Sequence, residues 1–420
     1  MTTTLTPDPH AKSAENFAAA ALDLLGPKGF TRDPDLVDPW LTDWRGRYTG
    51  RAIGLASPAS PHEVSALVSL CDKHQVPIVP QGGNSGMAGG ATPDTSGSAV
   101  ILSLRRMNAI RSLEQDAGYI ICEAGVVLQT LHEAAAARDL RFPLTLGGKG
   151  SATVGGLIST NAGGTQVLRY GTMRAQVLGL EVVLPNGQLL DGLTPLKKDN
   201  RGFDLKQLFI GSEGTLGIIT AATLRLLPAP RARVTVWAGL SSILDARTVL
   251  QRIDQQLGEA LEGFEVVPAH CLESVLSHLP DAKAPLAEKH AWNALIECTG
   301  QDQGALQSQV EEALAAALAE GLIADAVIAS NETQAEHFWL LRDSISAAER
   351  AIGPAVQHDI SVPVERMPEF IVDTIPMLES EFPGTKGVAF GHLGDGNVHF
   401  HVLAPPGAVR GEWEDEEGKS

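Results

Sequence analysis

The sequence predicts an α+β protein in two parts, and three observations carry that reading. Short apolar runs alternate with helical patterns through the first half, the layout of α/β layers. Glycine-rich segments interrupt the alternation at residues 79–90 and 146–164. Beyond Pro228 and Pro230 the strand-like runs at 233–239 and 292–297 alternate with helical patterns at 243–257 and 306–320.

The whole chain sets bounds on function. Its 420 residues leave room for two or three domains. With 32 basic and 50 acidic residues the net charge is −18, which argues against nucleic acid and anionic membranes as partners. No apolar run reaches the roughly 18 residues a membrane span needs. Residues 1–10 lack the basic and apolar regions of a secretory signal. Cys71, Cys122, Cys271 and Cys298 lie far apart with no C-x-x-C spacing, so disulfides, a zinc knuckle and an iron–sulfur cluster are not expected. A soluble, cytoplasmic protein is expected.

In order, residues 14–25 have helical spacing and stop at Gly26-Pro27, and 51–56 reads as a strand. Residues 60–71 read as a helix with Ser60 as N-cap, Pro61 at N1 and Glu63 at N3. Strands are expected before the first glycine run, at 99–104 and at 119–126, and a helix at 127–138. Ser151 and Thr153 precede a helix that begins near Gly155 and Gly156. Residues 177–184 and 188–190 form a hairpin across Pro185-Asn186-Gly187.

The first glycine run leaves the backbone free to take positive φ and to turn its N–H groups on a ligand. Converging N–H groups hold a diphosphate without Lys or Arg. The spacing G-G-x-x-G-x-x-G-G is not the G-x-G-x-x-G of a Rossmann unit, and the following Ala91-Thr-Pro-Asp94 breaks any helix.

In the second half, residues 331–350 read as one helix capped by Asn331, with Trp339, Arg342, Ser346 and Glu349 on one face. From spacing alone, Arg342 reads as a solvated arginine paired with Glu349. Residues 390–402 hold His392, His399 and His401 around Asp395-Gly396, a preferred two-residue turn. That turn sets His392 opposite His399, with Cβ atoms roughly 4.5–5.5 Å apart, near enough to chelate one divalent ion. His401 shares the face. Imidazole ligands suit zinc, manganese or iron.

Three segments in this order resemble the FAD-binding domain of the vanillyl-alcohol oxidase and p-cresol methylhydroxylase superfamily. They are Pro80-Gln81-Gly82-Gly83-Asn84-Ser85-Gly86, residues 147–164, and Gly211-Ser-Glu213-Gly214-Thr-Leu-Gly217. The chain is most similar to the branch of D-lactate, glycolate and D-2-hydroxyglutarate dehydrogenases, over about residues 51–402. The resemblance implies a two-part FAD-binding domain at 51–228 after a helical segment at 1–50. An α+β substrate, or cap, domain follows at 229–405. In that family the first loop, here through Met87, wraps the flavin diphosphate. The second and third segments hold the isoalloxazine and ribityl side. Here they supply Gly147, Gly150, Ser151, Thr153, Gly155, Gly156, Asn161, Gly163 and Gly164, then Glu213, Gly214, Gly217 and Ile218. The first loop has Asn84 and no histidine, so FAD is expected to be non-covalent.

The resemblance also implies that Arg342, in a Trp-x-Leu-Arg pattern, clamps a substrate carboxylate, and that Ser346 lies near the substrate. Gln357 stands where the family has lysine, which makes a D-lactate-like acid a stronger expectation than D-2-hydroxyglutarate. The Gly-His-x-Gly-Asp-Gly-Asn-x-His string resembles the family's metal and active-site motif, implying a divalent metal on His392 and His399 and a catalytic part for His401. The implied activity is FAD-dependent oxidation of a D-2-hydroxy acid to the 2-oxo acid. Electrons then pass to an electron-transfer flavoprotein, a quinone or a cytochrome, and a homo-oligomer is left open. The rival reading is an impaired FAD-binding subunit or paralogue with a scaffolding role. Family members continue past the hairpin to a Ser-x-Glu-His-Gly-type motif. The sequence here ends at 413–420, so residues 406–420 are expected to be the start of a truncated segment.

Overall fold

The computed structural model describes residues 9–416. Most of residues 1–10, read above for a leader, and 417–420 of the acidic tail lie outside the described residues. The chain divides into two compact units. The first takes the described residues up to Gly164 together with Tyr170–Ala229, the second Thr165–Arg169 with the described residues from Pro230 on.

In the first unit a four-stranded sheet runs Phe30–Thr31, Leu55–Ala56, Val100–Leu102, Ile78–Pro80, the last three parallel. The helix Pro61–His74 starts as its sequence predicts, with the Ser60 hydroxyl accepting from Glu63 N at 3.2 Å. It buries Val64, Leu67, Val68 and Cys71 in a core shared with Phe17 and Ala21 of the helix Pro9–Leu25. The strand expected at 51–56 shrinks to two residues, Leu55–Ala56. A five-stranded antiparallel sheet follows, in the order Ile110–Glu114, Tyr119–Glu123, Ile218–Arg225, Val177–Val183, Leu189–Gly192. The hairpin over Asn186-Gly187 is present, Gly187 taking φ +80°.

The second unit is one seven-stranded antiparallel sheet. Its order is Asp325–Ile328, Ala232–Leu240, Trp292–Gly300, Leu261–Pro268, Lys386–His392, Asn397–Leu403, Ala355–Ser361. Alternation splits each strand between two faces. Val234, Val236 and Ala238 face the core formed with the helices Ile243–Leu257, Gln303–Ala319 and Met367–Glu381. Trp237, Val267, Leu295, Val388 and Phe390 join the core of the helices Ala269–His278, Glu332–Asp343 and Ile345–Ile352. With both faces covered, every residue of Leu261–Pro268 is buried, Glu262 and Glu265 included.

Two expectations need correction. The single helix at 331–350 is two, Glu332–Asp343 and Ile345–Ile352, meeting at Ser344. Asn331 does cap the first, its side chain accepting from Gln334 N at 2.9 Å. The hairpin register is also different: His392 pairs with Asn397 and Phe390 with His399, across a four-residue loop from Leu393 to Gly396. Leu393 is fully buried in the first core, which draws it out of the ladder. Gly396, at φ +77°, packs on the Val362 carbonyl and accepts from Val362 N at 2.9 Å. The slip is two residues, so His392 and His399 still share a face.

A Cβ at Gly396 meets both a positive φ and the Val362 carbonyl. Gly396→Ala is therefore expected to destabilise the protein by about 1 kcal/mol or more, read as a lower midpoint in urea. An unchanged midpoint shows that the loop relaxes freely.

Candidate functional site

The first unit brings the three glycine segments together. A Cβ on Gly83 would overlap the Ser151 carbonyl, and one on Gly82 the Thr153 hydroxyl, so the first loop lies directly on the second segment. Thr153 caps the short helix Val154–Ser159, which holds Gly155 and Gly156, by accepting from Gly156 N at 3.4 Å. The third segment joins through Glu213 N to Ser159 O at 2.9 Å and through Gly214, which packs on Pro80. Asn84, Asn161 and Glu213 take φ values of +49°, +50° and +51°, uncommon outside glycine. Asn84 Nδ2 donates to Thr42 O at 2.8 Å, and Asn161 Oδ1 accepts from Arg174 N at 2.9 Å. Gln81 is buried, its Nε2 donating to Trp40 O and Ala91 O, while its Oε1 has no partner among the described residues. Gly86, Gly147 and Gly150 face open space. Met87 is exposed beside Arg45, Gly164 packs on the Thr145 carbonyl, and Gly217 lies on Val182 next to buried Ile218. Ser85 is beside Gly148, and Gly163 precedes Gly164 in the same segment.

The second unit assembles a different site around one buried carboxylate. Glu265 sits directly across from His392 in the sheet and is 1% exposed. Its Oε1 takes His392 Nδ1 and its Oε2 accepts from Arg342 Nε at 2.9 Å. Burial alone would raise its pKa, but the Arg342 charge and the hydrogen bonds from His392 and Arg342 outweigh it and pull it to about 2. Arg342 Nη2 lies 3.3 Å from His392 Nε2 and 3.2 Å from His399 Nε2. His399 Nδ1 faces Asp359 Oδ1 at 3.3 Å, and burial holds the His399 pKa below its ordinary 6.5 although Asp359 opposes this.

Arg342 is therefore not a solvated arginine paired with Glu349. Glu349 is buried against His401, whose Nδ1 is 2.6 Å from Glu349 Oε2, so His401 shares the histidine face but is engaged below the surface. Ser346 is exposed on the second helix and does not join the cluster. Trp339 Nε1 donates to Glu297 Oε2 at 2.7 Å. The expected divalent metal does not fit these residues. The two imidazoles face a common point, but a guanidinium nitrogen fills it. Among the described residues no three His, Cys, Asp or Glu side chains are grouped to hold an ion. Glu265 and Asp359 were not recognised from the sequence. The usable signal for Glu265 was an acidic residue within the run Phe264–Pro268 that is otherwise apolar.

The fold and the three converging segments define a flavoprotein of the p-cresol methylhydroxylase type. Residues 52–192 match the FAD binding domain, and residues 229–416 match the C-terminal domain of FAD linked oxidases. A rice (Oryza sativa subsp. indica) protein named probable D-2-hydroxyglutarate dehydrogenase, mitochondrial, is 40% identical over 91% of this chain and 67% of its own. A rat (Rattus norvegicus) D-2-hydroxyglutarate dehydrogenase, mitochondrial, is 38% identical over 92% of this chain and 71% of its own. The structure of p-cresol methylhydroxylase with substrate bound aligns with a TM-score of 0.77 at 16% identity, covering 100% of this chain and 87% of that one. The chain belongs to the FAD-linked oxidase family, in the branch that holds these dehydrogenases, and it is an FAD-dependent oxidoreductase. The cytoplasmic placement expected above does not stand, since the rice and rat relatives are named mitochondrial.

The residues fit FAD: Gly83 lies on the Ser151 backbone, Gly86, Gly147 and Gly150 leave open space, and the buried Gln81 Oε1 has no partner among the described residues. Gly83→Ala is expected to purify with far less flavin, because the added methyl overlaps the Ser151 carbonyl. The ratio of flavin to protein absorbance measures this; full occupancy in the variant would show that the two segments separate at little cost.

Proposed function

We propose that the chain oxidises a D-2-hydroxy acid, D-2-hydroxyglutarate first, to the 2-oxo acid with non-covalent FAD as hydride acceptor. The observation that carries this is Arg342 Nη2 lying within 3.3 Å of both His392 Nε2 and His399 Nε2. A 2-hydroxy acid bears its hydroxyl on the carbon next to its carboxylate. A carboxylate received by the outer nitrogens of Arg342 thus delivers that hydroxyl to the same two imidazoles. Bound FAD supplies the two-electron acceptor for the hydride leaving C2. Arg342 binds and orients the carboxylate at two points while its Nε stays on Glu265. His399, kept neutral by burial, takes the hydroxyl proton at Nε2.

The relatives' names favour D-2-hydroxyglutarate over the D-lactate-like acid expected from Gln357. Gln357 lies directly across from His401, so an amide replaces the family's lysine on that edge. The first unit, with residues 51–228, serves as the FAD-binding part and residues 229–405 as the substrate part. In this reading the first loop wraps the diphosphate and the other two segments hold the ring and ribityl chain. Reoxidation falls to an electron-transfer flavoprotein, a quinone or a cytochrome. The intact arginine–histidine cluster favours turnover over a scaffolding role.

Anaerobic mixing with D-2-hydroxyglutarate, its L isomer and D-lactate tests the proposal. Bleaching by the D acids alone is expected, and flavin that none of them reduces would sink it. Arg342→Lys keeps charge but not the two-point contact. It should lower kcat/KM by several tenfold, each tenfold being about 1.4 kcal/mol, with FAD retained. Unchanged kinetics would remove Arg342 from the site. Acid precipitation should leave the yellow colour in the supernatant, since the first loop offers no histidine for a covalent link; flavin held in the pellet would refute this.

A further inference from the structure

We infer that Arg174 is a positioning residue for FAD: it ties the third glycine segment to the second and so holds both in the shape that receives the cofactor. The inference rests on the proposed reading in which these two segments hold the flavin, and not on which acid is oxidised.

Both segments bend where a side chain resists bending. Asn161 and Glu213 take φ +50° and +51°, and in the third segment Gly211 at +81° and Gly214 at +80° flank Glu213. Left-handed backbone at a residue with a Cβ persists only where its surroundings over-determine it. Two backbone contacts begin that enclosure. Gly211 N donates to Ile158 O at 3.1 Å, and Glu213 N donates to Ser159 O at 2.9 Å. Ile158 and Ser159 end the helix Val154–Ser159, so the third segment takes up carbonyls that the end of a helix leaves open.

Arg174 supplies the rest. It lies in the short helix Met173–Gln176, and its backbone N donates to Asn161 Oδ1 at 2.9 Å. Its guanidinium reaches the other segment. Nη1 donates to Gln207 O at 2.9 Å and to Gln207 Oε1 at 2.7 Å, and Nη2 donates to Ile210 O at 2.6 Å. Gln207 belongs to the helix Lys206–Phe209, and Ile210 directly precedes Gly211. One residue thus holds the exit of the second segment's helix and the entry of the third segment. A Cβ on Gly211 would lie 3.4 Å from Arg174 Nη2 and 3.5 Å from Asn161 Cβ, so the turn is packed between the two. The three oxygens that receive the guanidinium are neutral. A planar fork can meet all of them together, whereas one ammonium group cannot. The role is therefore geometric: lysine would keep the charge and lose the span.

The test follows FAD leaving the holoprotein after dilution, read as the rise in flavin fluorescence. Arg174→Lys is expected to release FAD roughly 10–100-fold faster, with a urea midpoint near that of the wild type. Amide exchange should quicken at Asn161 and residues 211–214, while the five-stranded sheet keeps its protection. In Arg174→Ala, guanidinium chloride far below denaturing concentration should slow the release, and sodium chloride at the same concentration should not. An Arg174→Lys that holds FAD as long as the wild type overturns the inference. So does exchange that quickens throughout the first unit, because that marks a general loss of stability. If Arg174→Ala does not fold, the lysine variant decides alone. Gly83→Ala separates this inference from the reading beneath it. If that variant also holds FAD like the wild type, the glycine segments are not the cofactor site and the reading fails. If it loses FAD while Arg174→Lys does not, only the part given to Arg174 fails.

Discussion

A carboxylate removed from water must be repaid by partners or it does not stay charged. Glu265 meets that condition with an arginine on one oxygen and a histidine on the other. The three groups come from the middle of one strand, the end of its neighbour and a helix on the covering layer. Their mutual dependence means that none of these elements can shift alone without leaving a buried charge unpaired, a loss of about 3–5 kcal/mol. The layered packing of the second unit and the chemistry it hosts are in this sense one constraint.

The first unit solves a different problem by different means. Its three glycine segments are held close by missing side chains rather than by charge. Gly82, Gly83 and Gly214 each sit where a Cβ would strike a neighbouring segment, Gly83 on the Ser151 backbone itself. Such close approach suits a polyanionic cofactor in a chain whose net charge is −18. The acidic balance that argues against nucleic acid thus does not oppose a diphosphate, because backbone dipoles supply the local positive potential.

Much of the fold was legible because local signals were strong. Ser60 with Glu63, Asn331 and the Asn186-Gly187 turn act within a few residues, and each appears where its sequence places it. The family resemblance named the three glycine segments, which the fold brings together, and singled out Arg342, His392 and His399, which meet in one cluster. What could not be read depended on distant partners. The strand Leu261–Pro268 was missed because Glu262 and Glu265 look like surface residues until Thr299, Arg342 and His392 are brought beside them. The hairpin register was misjudged because the Asp395-Gly396 signal is local, while buried Leu393 and the Val362 contact that override it are not. The metal was expected from two opposed imidazoles and the resemblance of their motif, and spacing gives no notice that a guanidinium from 50 residues upstream of His392 fills the point between them.

The four-residue loop from Leu393 to Gly396 has a consequence for how this site tolerates a slip in pairing. A sheet side chain's face depends on the parity of its register. A slip of two residues leaves His392 and His399 looking toward the same helices. A slip of one would turn the whole outgoing strand over, carrying His399 and His401 toward the opposite core and lifting Val398 and Phe400 out of it. Buried Leu393 and the Gly396–Val362 contact, by pinning the loop at both ends, thus guard which way the histidines look.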